Sequence, residues 1–172
     1  MGEVLNNLNI ESRKNELESI NKLYETFGYS SFDLVERYNI SVGFETGYKR
    51  LLNIVGNGEL DNDIFYADPV GIISNFLFMY FKDRGGNLPE VWSDNNIVYL
   101  KTEFGKTCVT FEAEKLITVN HREICNVYCR SFVKGMLSVF EELFPGIKIN
   151  FFNKSSRRTG EDCVEGFQIV YP

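Results

Sequence analysis

The sequence predicts an α+β fold: a mainly antiparallel sheet of about four to five strands, with N-terminal helices and one long C-terminal helix packed on it. Three observations lead there. Apolar residues recur at helical spacing through the first half of the chain, short strand-like runs separated by turn residues follow, and a long apolar helix then precedes two further strands. A chain of 172 residues suits one domain, 1–172, with a single core and no need of a disulfide staple. Neither an internal repeat nor a low-complexity linker interrupts it.

The first helix spans about residues 12–28, where Leu17, Ile20, Leu23, Tyr24 and Phe27 share a face and Gly28 supplies the stop. Ser31 can cap a second helical region, about 31–56, whose stripe includes Leu34, Val35, Tyr38, Leu51, Leu52 and Val55. Gly43 and Gly47 lie in its middle, marking either a break between two helices or the close approach of another backbone. A polar loop runs from Asn57 to Asp63. Asp68-Pro69 pairs a cap with a first-turn proline and opens a third helix, which ends near Gly85-Gly86. Ile72, Ile73, Phe76, Leu77, Tyr80 and Phe81 cover more than one face of that helix, so it is expected to be deeply buried.

Strands are expected at 88–92 and 97–104 around the turn Ser93-Asp94-Asn95-Asn96, and again at 107–112. The last helix covers about 123–144 and stops at Pro145-Gly146. Ile147, Ile149 and Phe151 then alternate with Lys148, Asn150 and Phe152 in a half-buried strand. A polar hairpin over 155–162 leads to a final strand, 163–171, in which Gly166 suggests a bulge.

Composition narrows the function classes. The net charge is −6, with the Lys and Arg residues scattered, which argues against a nucleic-acid partner. The amino terminus carries no basic-then-apolar signal, and the longest apolar run, 72–81, is too short to span a bilayer. A cytoplasmic location is therefore expected, where the four cysteines would be thiols or metal ligands. Asp61 and Asp63 look superficially like a calcium loop, but the glycine and distant glutamate are wrongly spaced. Lys154, Arg157 and Arg158 form a basic hairpin tip, suited to solvent or to an anionic ligand.

Four segments together resemble the 4-vinyl reductase domain family, the small-molecule-binding domains related to the TRAPP transport subunits. They are Gly43-Phe44-Glu45-Thr46-Gly47, the helix and strand over 72–91, Cys129 with the Gly135-containing helix, and residues 160–167 around Cys163. The resemblance implies an intracellular protein that senses or carries a small, largely apolar molecule between helices and sheet. It also implies a homodimer formed through the N-terminal helices. Phe76, Tyr80, Trp92 and Phe132 are the candidate ligand-binding residues, since rings on facing elements wall an apolar pocket.

In that family's phenol-sensing branch, cysteines heading the helix and in the closing hairpin hold zinc together with a glutamate. Cys129 and Cys163 match two ligand positions, while the positions near Phe152 and Ser155 cannot supply the others. Cys125 lies one helical turn before Cys129 and could be a third ligand, with Glu161 or Asp162 a fourth, so zinc is a possible cofactor. The alternative is that these cysteines are small apolar side chains. A second likeness, to thiazoline-carboxylate hydrolases, would make Cys129 a nucleophile acting on a small nitrogen- or sulfur-containing compound, with His121, the one histidine, as its base. A third reading is a purely structural interaction module.

Overall fold

In the structure, a computed structural model, residues 2–84, 88–102, 125–155 and 162–172 are described. Among them the chain begins with a helical hairpin. Helix α1 (Gly2–Phe27) ends at Gly28, whose φ of +66° only glycine adopts without strain, and helix α2 (Ser30–Gly56) starts directly afterwards. Ser31 does not cap α2 as its type suggested. It is already inside the helix, is buried, and donates its hydroxyl to the Gly28 carbonyl at 2.7 Å.

Helix α2 runs unbroken through both central glycines, which decides between their two readings in favour of close approach. Its partner is the C-terminal helix, α5 in chain order (Ser131–Leu143). A Cβ on Gly43 would fall 2.1 Å from the Phe132 carbonyl oxygen, and one on Gly47 would fall 2.4 Å from that of Met136. Gly135 answers from α5, with 2.0 Å between its would-be Cβ and the Ile40 carbonyl oxygen. Glycine on both sides lets the two backbones touch.

Between these helices lie α3 (Asn62–Ala67), whose first two residues were expected in the polar loop ending at Asp63, and α4 (Pro69–Arg84). Asp61, one of the pair with a calcium-loop look, is the N-cap of α3 and accepts from the Ile64 amide at 2.8 Å. Asp68 caps α4 as expected, accepting from the Gly71 amide at 2.9 Å ahead of the first-turn proline.

The sheet is antiparallel throughout, with order β1-β2-β4-β3: β1 (Glu90–Asp94), β2 (Ile97–Thr102), β3 (Lys148–Ser155) and β4 (Cys163–Val170). Ser93 and Asp94 belong to β1, because they pair with Val98 and Ile97. The first hairpin turn therefore contracts to Asn95-Asn96, with Asn95 at φ 52°. Gly166 carries no bulge; it stays in register with Tyr99 and Phe152, and the irregularity sits between Asn153 and Ser155 instead. The Phe152 ring lies across the glycine, 2.2 Å from where a Cβ would be, so a side chain there would have to push that ring aside. The strand expected at 107–112 and the hairpin tip at 156–161 fall outside the described residues.

Side chains alternate across this sheet, so Val98, Leu100, Ile149, Phe151, Phe167 and Ile169 face the helices. They join Phe65, Ile73, Leu77, Met136 and Phe140 in one core. The opposite face carries Trp92, Tyr99 and Phe152, with Trp92 stacked on Tyr99 at 5.1 Å between ring centroids. A second, smaller cluster, Leu17, Ile20, Phe32, Val35 and Val127, holds α1 to α2. Among the described residues no helix is long and apolar enough to cross a membrane.

Candidate functional site

Helix α4 presents Phe76 and Tyr80, four residues apart and thus on one face, to the seam between itself and α5. Both are buried, at 4% and 6% exposure. Phe76 meets Phe140 edge-on with centroids 5.1 Å apart, and Tyr80 lies 5.9 Å from the Phe132 ring. Three of the four expected ligand-binding residues therefore share one apolar seam. Trp92 does not join them, because strand alternation turns it to the sheet face away from the helices.

A groove of about 440 Å³ opens on the other side of α5, where Ile40 of α2 and Leu137 of α5 face Ile149 and Phe151 of β3. Its floor includes Phe167, so it reaches the same core. Two charged groups border it. The Lys134 ammonium stands 5.0 Å over the Phe151 ring, and Glu141 accepts from the Ile149 amide at 2.7 Å, covering that amide on the edge strand.

The cysteine corner begins with a π-helical turn, Cys125–Arg130, at the head of α5. Wider turns of this kind are rare and occur often at functional sites. Here the Val127 carbonyl accepts from both the Asn39 side-chain amide at 3.1 Å and the Ser131 hydroxyl at 2.6 Å. This anchors the turn to α2. The Tyr128 hydroxyl donates to Glu16 of α1, and the Arg13 guanidinium lies 4.4 Å from that ring's centroid.

The turn delivers Arg130 into the interior, 7% exposed, against the start of β4. Its Nε donates to Glu165 Oε1 at 2.8 Å, and its Nη2 lies 3.7 Å from Cys163 Sγ, which is 3.9 Å from the same carboxylate oxygen. Burial works against the guanidinium's charge, but the Glu165 carboxylate and, to a lesser extent, Cys163 together outweigh it and hold the pKa above its ordinary value. Arg130 is therefore a permanent buried cation.

Cys129 directly precedes Arg130, and both Cys129 and Cys163 are half-buried at this corner. The Cys125 side chain and His121 lie outside the described residues. Among the described residues, no group of three or more His, Cys, Asp or Glu side chains comes together that could hold a metal ion. Arg130 and Glu165 themselves were missed in the sequence. The available signal was a glutamate at an inward position of β4, between Cys163 and Phe167, opposite an arginine heading an apolar helix.

No protein-family model matches the chain, and no curated protein matches it either. Among solved structures it is similar to trafficking protein particle complex subunit 3 from Naegleria fowleri, determined covalently bound to palmitic acid. The TM-score is 0.56 at 10% identity, over 97% of this chain and 96% of that one. At that identity the likeness is one of architecture: the chain has the fold of a TRAPP subunit.

Proposed function

We propose that this protein binds a small, largely apolar molecule, for sensing or carriage, in the manner of the 4-vinyl reductase domains within the TRAPP-like superfamily. The observation that carries the reading is the fold match along nearly the whole chain to a subunit whose structure holds a palmitic acid. The interior supports it: Phe76, Tyr80 and Phe132 line a seam of rings between α4 and α5. The groove beside Leu137 has a volume inside the usual range for small-molecule sites and is lined in part by core residues. Titrating detergent-free protein with cis-parinaric acid tests the reading. The expected result is saturable fluorescence that palmitate displaces and that Ser138→Trp, which fills the groove, weakens. Failure of a cooperatively melting protein to bind either acid overturns it.

A second reading, an interaction module that pairs through its N-terminal helices, has its own support. Phe27, Tyr29, Leu34 and Tyr38 are 64–68% exposed around the α1–α2 hairpin. Large apolar side chains grouped on one exposed region favour a protein interface. Light scattering during gel filtration checks this: a dimer that Leu34→Glu with Tyr38→Glu converts to monomer supports it, and a wild-type monomer at micromolar concentration refutes the homodimer.

A further inference from the structure

We propose that the Arg130 guanidinium is the resident cation of the cysteine corner, occupying the place that the family resemblance gives to zinc and keeping a divalent ion out. This stands apart from the apolar-ligand reading and is tested without it. Arg130 follows Cys129 directly and touches Cys163, the two cysteines that the resemblance makes metal ligands. Of the implied ligands, Cys163 already turns its sulfur to the guanidinium at 3.7 Å, and the Glu165 carboxylate, the nearest anion to that sulfur that is described, is taken by the guanidinium at 2.8 Å.

The surroundings strengthen the exclusion. The Arg130 and Glu165 side chains are 9% and 12% exposed, so water screens their charges little. A zinc ion bound to Cys163 would stand beside a fixed positive group and would compete with it for that sulfur. Zinc also needs four donors in a tetrahedral shell, whereas a guanidinium is satisfied by a planar fork of acceptors and does not deprotonate. The arginine thereby does a metal's mechanical task, clamping the π-helical turn to the first residues of β4.

The test uses the full chain, expressed in zinc-supplemented medium and purified without chelator. Elemental analysis is expected to find far less than stoichiometric zinc, with a melting temperature unmoved by added Zn²⁺ or by EDTA. Arg130→Met, which strands the Glu165 charge, is expected to lower the melting temperature by about 10 °C. Arg130→Met combined with Glu165→Met is expected to recover at least half of that loss, because an apolar pair of similar size commonly replaces a buried ion pair at little cost. Stoichiometric zinc, destabilisation by EDTA, or an Arg130→Met protein that melts like the parent each overturns the proposal. If Arg130→Met alone does not fold, the zinc content of the parent and the melting of the double variant decide.

Discussion

Gly135 of α5 and Ile40 of α2 meet backbone to backbone: a Cβ on the glycine would lie 2.0 Å from the isoleucine carbonyl oxygen. Gly43 and Gly47 make the reciprocal approach from α2 toward Phe132 and Met136. The seam of rings beside Phe132 and the groove beside Leu137 both depend on where this contact sets α5.

Gly135→Ala is accordingly expected to destabilise the protein by about 1–3 kcal/mol, since backbone cannot yield as a flexible side chain does. Gly56→Ala, at a position with nothing within 4 Å, is the control and should change stability by less than about 0.5 kcal/mol. Urea denaturation of the two variants makes the comparison. Gly43→Ala and Gly135→Ala together should cost less than the sum of the two, because the first already separates the helices.

Phe65, the fully buried ring of α3, stacks on Phe144 at 3.8 Å and on Phe140 at 5.6 Å. Phe65→Ala is expected to cost about 3–5 kcal/mol by opening a cavity among three rings. Ile64, next to it and 45% exposed, should tolerate alanine within about 0.5 kcal/mol. Equal losses for the two would contradict the placement of α3 in the core.

The same short helix depends on its cap. Asp61→Ala removes the acceptor for the Ile64 amide and should cost about 1 kcal/mol, with Asp61→Asn retaining most of the stability. Thermal denaturation distinguishes them; an alanine variant as stable as the parent would show that the cap contributes nothing.

These cases show which parts of the fold were legible in sequence. Helices α2, α4 and α5 announce themselves by apolar spacing, and Asp68-Pro69 and Pro145-Gly146 mark boundaries through proline's missing amide and glycine's freedom. α3 has too few residues to show a period, so Asp61 read as loop. Gly166 looked like a bulge because a bulge and a ring laid over a strand ask for the same residue; only the cross-strand partner Phe152 separates them. At the candidate site, the packing of Phe76, Tyr80 and Phe132 between α4 and α5 followed from hydrophobicity. Trp92 did not, since its face depends on a register that the Asn95-Asn96 turn sets. Arg130 and Glu165 stayed hidden because each looks like a surface charge until β4 is paired.

Lys101 gives a pH test. Its hydrogen bond to Asp162, then the charges of Asp162 and Glu90, lift the ammonium above its ordinary value near 10.5. The folded chain thus holds this proton more tightly than the unfolded one, so the contribution is complete below the ordinary lysine range and fades as pH rises through the raised value. Its solvent-exposed setting makes the effect small and salt-sensitive. Denaturation midpoints of the parent and Lys101→Met should converge above that range, and a gap that persists at strongly alkaline pH would contradict the assignment.

The small cluster around Leu17 and Ile20 also sets how the molecule comes apart. Among the described residues it shares no buried residue with the larger core, and the chain between α1 and α2 bends at a single glycine. The amino-terminal helix is expected to work as a clasp, unfastening once its contacts from Glu16 and Arg13 to Tyr128 part, while the sheet and its covering layer stay shut. Its amides should exchange with deuterium well before those of α5, and whatever grips Phe27, Leu34 and Tyr38 from outside would latch it.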